Sequence, residues 1–279
     1  MKRRELLKSA QERLAACGVE NAQAEAKWLY LSILSLEESE WLLRREENAS
    51  NEEEAALEKR ILRRISGEPI QYILGKWPFL SLELFVGPGV LIPRPETELL
   101  CEAAAVHLPR GASVLDLCAG SGAVGLGICS LGQEIHADCV ELFEAAFSYL
   151  ARNLEKYPYD ARAIRYDVLI PPDRRFGAYD RIVSNPPYVA AKEIAVLERE
   201  VSFEPETALS GGEDGLLFYR AILKNWLPLL KAGGELYFEI GEDQGAVLSE
   251  MMKEAGLTKI RILKDFSGLD RIAAARKDD

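Results

Sequence analysis

From residue 112 onward the hydrophobic period keeps switching between about two and about 3.6 residues, and this alternation limits the fold more than any other feature of the chain. "ASVLDL" reads as a buried strand, "GSGAVGLGICSL" as a glycine-led helix, "EIHADCVEL" as a strand and "FEAAFSYLARNLEKY" as a helix. "ARAIRYDVL" and "YDRIVSN" are two more strands, followed by the long helical stretch "DGLLFYRAILKNWLPLL", a strand in "GGELYFEIG" and a helix in "DQGAVLSEMMKEAG". "LTKIRILKD" and "LDRIAAARK" close the chain as two strands that pair with each other. Strands separated by helices cannot form hairpins, so the pattern predicts an α/β fold with a mostly parallel sheet covered on both faces.

Upstream the style differs. Residues 1–75 read as helices: Leu6, Leu7, Ala10 and Leu14 recur at helical spacing, and so do Ala24, Trp28, Leu29, Leu31 and Leu34. Ser50 with Glu53 three residues on is a capping-box pattern, and the acids Glu52–Glu54 suit a first helical turn. Residues 76–93 hold two short apolar runs, Trp77–Leu80 and Leu82–Val86, closed by Gly87-Pro88-Gly89, which predicts a hairpin connecting two domains. The larger domain then occupies 94–279, beginning with a helix over about 96–107.

Five scattered cysteines without a CxxC pair, and only two histidines, predict a reduced protein with neither disulfides nor a metal site. No apolar run suits a membrane span and "MKRRELLKSAQERL" is amphipathic, so a cytoplasmic protein is expected, with monomer as the default state.

The turn after the first strand spells Gly120-Ser121-Gly122-Ala123-Val124-Gly125, with Glu141 at the end of the second strand. Such glycines let a backbone approach a nucleotide, and such an acid takes ribose hydroxyls. Both a nicotinamide dinucleotide and S-adenosylmethionine fit this corner. Asp167, at the tip of the third strand, is placed to accept from an adenine amine.

The fourth strand ends in Asn185-Pro186-Pro187-Tyr188. Two prolines remove two backbone donors and fix two φ angles, and the residue before a proline is held extended. The corner therefore presents two fixed acceptors, the Asn185 side-chain oxygen and the Pro186 carbonyl. An amide NH2 is a poor nucleophile because its lone pair is delocalised. Acceptors on its two hydrogens orient it and stabilise the positive charge that grows as it attacks. Tyr188 can pack on the planar group, and positioning against a sulfonium methyl carries much of the rate. A nicotinamide enzyme has no evident use for this tetrapeptide.

Taken together, the sequence resembles the HemK/PrmC family of protein-glutamine methyltransferases acting on peptide chain release factors. "GEPIQYILGKWPF", "VLIPRPETE", "DLCAGSGAVGLG", "IVSNPPYV", "FEPETALSGGEDGLLFYRAIL", "EIGEDQ" and "KDFSGLDRI" carry the resemblance in order. It implies a Rossmann-like class I methyltransferase sheet whose last strand is antiparallel, joined by a β-hairpin to a small N-terminal helical domain that recognises the substrate. It also implies S-adenosyl-L-methionine as cofactor, S-adenosyl-L-homocysteine as product, and the glutamine of a Gly-Gly-Gln motif as target. Cys118, Ala119, Gly120, Ser121 and Gly122 would line the methionine part, Glu141 would hold the ribose, and Asp167 and Val168 would flank the adenine. Asn185 would touch both cofactor and substrate, Asn185 to Tyr188 would bind the glutamine side chain, and Asn185, Pro186 and Tyr188 would be catalytic. Where the family usually reads Leu-Gly-Thr-Gly this chain has Leu-Cys-Ala-Gly, and a side chain at Cys118 disfavours a positive φ there.

The same asparagine–proline corner also serves adenine-type methylation of exocyclic amines in nucleic acids. That alternative expects a basic footprint. The charge is −11 overall: residues 1–75 hold 12 Lys/Arg against 14 Asp/Glu, and residues 76–279 hold 22 against 31. The acidic larger segment argues for a protein substrate, and no DNA partner is expected.

Overall fold

The computed structural model describes residues 1–194 and 200–278. The chain divides into two compact units, one of Met1–Lys76 with a short segment ending at Phe203, the other of the remaining residues from Trp77 to the end.

In the first unit, helices α1 (Arg3–Ala16), α2 (Ala22–Leu34), α3 (Glu38–Arg44), α4 (Asn51–Ile65) and the short α5 (Ile70–Leu74) enclose Leu7, Leu14, Ala26, Leu29, Tyr30, Leu57 and Ile61. Of the α2 residues its spacing suggests, Leu29 and Leu31 are buried, joined by Ala22, Ala26 and Tyr30, whereas Trp28 is 42% exposed. At the start of α4 the Glu53 amide donates to Ser50 Oγ at 3.2 Å, as the capping pattern predicts. The reciprocal half of the box is not made. The Glu53 carboxylate instead accepts from the Arg3 guanidinium at 2.6 and 3.0 Å and from the Tyr30 hydroxyl at 3.1 Å. A buried arginine must be paired, and that demand outranks a cap.

Strands β1 (Lys76–Phe79) and β2 (Leu82–Phe85) form the expected hairpin. Its inward residues Phe79, Leu82 and Leu84 are buried beside Leu100, Cys101 and Leu126, so from Trp77 onward this segment packs into the core of the second unit.

The alternating region forms one seven-stranded sheet. Its elements are α6 (Pro95–Ala105), β3 (Ser113–Leu117), α7 (Ala123–Leu131), β4 (His136–Glu141), α8 (Glu144–Lys156), β5 (Asp160–Arg165) and β6 (Tyr179–Ser184). They are followed by the one-turn α9 (Ala191–Ile194), α10 (Leu217–Ala221), β7 (Leu230–Glu239), α11 (Gly245–Glu254), β8 (Leu257–Lys264) and β9 (Asp270–Lys277). The strand order is β5-β4-β3-β6-β7-β9-β8; β3 to β7 run parallel and β9 runs antiparallel to both its neighbours. This is the mixed, mostly parallel architecture expected, with the last strand reversed.

Alternate strand residues enter opposite cores, as the period of two requires. Leu115, Leu117, Ile182, Leu236 and Phe238 pack with Tyr219, Trp226, Leu248 and Met252 on one face. Val114, Cys139, Val183 and Tyr237 pack with Leu100, Ala104, Leu126 and Leu150 on the other. The chain leaves β3 for β4 on one side and returns to β6 on the other, so the C-terminal ends of β3, β4 and β6 meet where strand order reverses. In open α/β sheets such a crevice is where ligands bind.

Candidate active site

The turn after β3 winds through three left-handed residues, Cys118 (φ +62°), Gly120 (φ +55°) and Gly122 (φ +83°), before α7 begins. Cys118 adopts this geometry although its side chain disfavours it. Left-handed geometry costs a non-glycine residue roughly 1–2 kcal/mol. The cost is sustained because Cys118 packs on the sheet core and the next amide, Ala119 N–H, donates to the Val140 carbonyl at 2.9 Å. Gly125 serves close approach. A Cβ there would lie 2.4 Å from Cys139 Sγ, and its amide donates to Asp116 Oδ2 at 2.9 Å.

Glu141 ends β4 as a 7% exposed carboxylate. Its Oε1 accepts from the Leu142 and Phe143 amides, each at 2.8 Å, and its Oε2 from Gly120 N–H at 2.9 Å. Burial pushes its pKa up, and these three backbone donors pull it back. A carboxylate oxygen accepts two hydrogen bonds, so Oε1 is filled and Oε2 keeps one open lone pair. Asp167 closes its own turn, its Oδ1 accepting from Leu169 N–H at 2.8 Å.

One cavity collects these strand ends. Cys118, Ala119, Gly120, Ser121, Glu141, Asp167, Val168, Asn185 and Pro187 line it. Apolar walls come from Val90, Leu142, Phe143, Leu169 and Phe218, and Pro93, Thr97, Pro205 and Thr207 complete it. Glu204 stitches two of these walls together, accepting from Ile92 N–H at 3.0 Å and pairing with Arg94. An acid with one open lone pair beside an apolar slot fits a ribose hydroxyl and a planar base. The Gly120 turn leaves room as well, since a Cβ there would meet nothing nearer than Val90 at 3.9 Å.

Three of the residues singled out from the sequence lie off the cavity wall. Gly122 faces α8, where a Cβ would lie 2.7 Å from Leu150. Pro186 is buried, and Tyr188 packs against the sheet core with its hydroxyl near Arg271 and Glu239. Burial raises the Tyr188 phenol to about 12, so it stays protonated.

The segment after the diproline corner is fixed by the 209–215 loop. Val189 N–H donates to the Leu209 carbonyl and Gly211 N–H to the Val189 carbonyl, at 2.9 and 2.8 Å. Gly215 must lack a side chain, because a Cβ would lie 2.4 Å from the Tyr188 carbonyl oxygen. That oxygen accepts from Gln244 Nε2 at 3.2 Å.

Two residues beside Asn185 escaped the residue-by-residue reading. The Asn185 NH2 donates to Thr97 Oγ1 at 3.2 Å, and the Thr97 hydroxyl donates to Glu239 Oε2 at 2.7 Å. Thr97 and Glu239 are 3% and 2% exposed. The available signal was an acid closing the apolar run "LYFEI", a strand end that burial alone would have kept apolar. Among the described residues no group of histidine, cysteine and acidic side chains is arranged to hold a metal, and no helix is long and apolar enough to cross a membrane.

Residues 5–75 match the PrmC N-terminal domain and residues 95–213 the methyltransferase small domain. A release factor glutamine methyltransferase from Geobacter sulfurreducens is 36% identical over 267 residues, 94% of this chain and 92% of the relative. One from Moorella thermoacetica is 35% identical over 273 residues, 96% of each. Among solved structures, a methyltransferase from Pyrococcus furiosus shares the fold at 19% identity with a TM-score of 0.55, over 80% of this chain and 98% of that one. With more than a third of its residues identical along nearly its whole length, the chain belongs to the release factor glutamine methyltransferase family.

Proposed function

We propose that the protein transfers a methyl group from S-adenosylmethionine to the side-chain amide nitrogen of the glutamine in the Gly-Gly-Gln motif of peptide chain release factors. The observation that carries this reading is the state of Asn185. It lines the same cavity as Glu141 and the Cys118–Gly122 turn, and its NH2 is already committed to Thr97. The carbonyl end of the carboxamide is therefore the end available to a substrate.

S-adenosylmethionine supplies an electrophilic methyl carbon on a sulfonium. The open lone pair of Glu141 Oε2 accepts from the ribose, and Val168 and the neighbouring apolar walls flank the adenine. Asp167 stands at the adenine edge, and the turn from Cys118 lines the methionine end. Asn185 Oδ1 and the Pro186 carbonyl accept the two hydrogens of the glutamine amide, directing the nitrogen lone pair along the line of transfer. The prolines hold both acceptors still, so no reorganisation is needed as charge develops. Tyr188, packed on the sheet core with its hydroxyl near Arg271, holds the corner from behind. No strong base is required, because the nitrogen becomes acidic as it gains the methyl group.

The test is incubation of the purified protein and a release factor with cofactor tritiated on the methyl group. Label in the release factor is expected, and it should vanish when the glutamine of its Gly-Gly-Gln motif is replaced. Absence of label, or label that survives the replacement, overturns the proposal.

A further inference from the structure

We propose that Thr97 and Glu239 are positioning residues that decide which end of the Asn185 carboxamide faces the substrate, a role that rests on the function proposed above for Asn185. The hydrogen bonds run in one direction, from Asn185 Nδ2 to Thr97 Oγ1 and from the Thr97 hydroxyl to Glu239 Oε2. An ionised carboxylate can only accept. Thr97 must therefore spend its single proton on Glu239, and its oxygen offers Asn185 nothing but a lone pair. Only the NH2 end of Asn185 can meet a lone pair, so the oxygen turns to the cavity. A carboxamide is nearly symmetric in shape, and without this relay sterics alone would not choose between its two ends.

Protonation of Glu239 lifts this constraint and lets the relay reverse. A neutral carboxyl donates as well as accepts, so Thr97 is no longer obliged to give its proton to Glu239 and is free to turn it to Asn185, which then answers with its oxygen. In that arrangement the Asn185 NH2 faces the substrate NH2, donor against donor, and the fixed acceptor the glutamine needs is lost. The groups around Glu239 place this reversal near neutrality. Burial raises its carboxyl to about 7, with Glu96 on α6 adding to the rise, while the Thr97 hydrogen bond, Arg271 on β9 and Arg94 before α6 oppose it. Tyr188, Tyr219 and Cys101 also feel its charge, and each is itself pushed upward and stays neutral.

The test reads the Asn185 side-chain amide by nitrogen-15 NMR on the full chain without ligands, the resonance pair being assigned by its loss in Asn185→Ala. In the wild type the pair should shift with pH around a midpoint of about 7. The shift should be absent in Glu239→Gln and Thr97→Val, and return in Thr97→Ser, which restores the hydroxyl. With a release factor as substrate, Thr97→Val should lower kcat by about tenfold or more, with cofactor Kd within about twofold, as expected when a transition-state interaction alone is lost. Thr97→Ser should recover most of that turnover. A wild-type resonance insensitive to pH, a titration that persists in Glu239→Gln, or full turnover in Thr97→Val overturns the proposal. If the wild type labels no release factor, the function proposed for the protein fails instead, and the NMR titration still decides whether the relay exists.

Discussion

The indole N–H of Trp226 donates to the backbone carbonyl of Val168 at 2.8 Å, fixing from behind a residue that lines the cavity. Trp226 is fully buried and meets Tyr166 and Phe176 edge to face, at 5.8 and 4.8 Å between ring centroids. Trp226→Phe keeps an aromatic ring but deletes the donor and part of the buried indole, leaving a carbonyl unpaired at a cost of roughly 1–3 kcal/mol and adding the cost of the cavity left by the smaller ring. The unfolding midpoint should fall by about 3–8 °C. Loosening Val168 should also weaken S-adenosylhomocysteine binding by about three- to tenfold, measured by calorimetry. An unchanged Kd would mean that this wall does not touch the adenine.

Glu141 accepts from three backbone amides, those of Gly120, Leu142 and Phe143. Glu141→Ala strands all three beside the cavity. Glu141→Gln keeps one oxygen but turns an NH2 toward amides that also donate. Both variants should raise the cofactor Kd by about tenfold or more, whereas kcat at saturating cofactor should stay within a few-fold, as follows from the role proposed for the carboxylate, which is to hold the ribose away from the reacting atoms. Steady-state kinetics with cofactor varied separates the two effects. A fall in kcat at unchanged Kd would place Glu141 at the chemistry.

The sheet was legible because its strands and helices carry different periods, and those periods report which side chains are buried. The turn after β3 and the Asn185 corner were legible for a second reason: glycine and proline restrict the backbone locally, and a local restriction needs no partner. Thr97 was not, because the carboxylate that gives its hydroxyl a role lies 142 residues away. Only the strand order brings them together, and periodicity does not encode strand order. The stretch "DGLLFYRAILKNWLPLL" reads as one helix, yet only Leu217–Ala221 is α-helical. Ile222–Trp226 widens into a π turn and Leu227–Leu229 tightens into a 3-10 turn. Trp226 reaches the Val168 carbonyl from the wide turn, a tertiary demand that helical spacing cannot announce, and Pro228 has no N–H with which to continue a helix.

Cys118 invites the suspicion of a reactive thiol in a cofactor loop, and its surroundings argue otherwise. The enclosing sheet core pushes the thiol well above its ordinary range, and the nearby Glu141 charge pushes the same way. The thiolate is the nucleophile, so such a group is inert near neutral pH. Iodoacetamide should modify the exposed Cys17 while leaving Cys118 unmodified, as read by peptide mass spectrometry. Labelling of Cys118 at a rate matching Cys17 would show that it is a working thiol.

Asp116 makes the protein's stability depend on pH in an unusual direction. It is fully buried, its Oδ2 accepts from Gly125 N–H, and its Oδ1 has no partner among the described residues. Burial is the main cause that raises its carboxyl to about 8. The unfolded chain releases this proton near pH ~4. Between those values the folded state holds a proton that the unfolded state has lost, so stability is fully present below about pH 4 and falls as pH rises toward about 8. Glu239, raised to about 7, contributes with the same sign. Asp116→Asn keeps an oxygen for Gly125 and removes one of the two titrations. Urea denaturation across a pH series should therefore show the wild type losing stability between weakly acid and weakly alkaline pH by on the order of a few kcal/mol more than the variant does. Parallel pH profiles for the two proteins would mean that Asp116 is ionised in the folded state, and its unpartnered oxygen would then need a donor of its own.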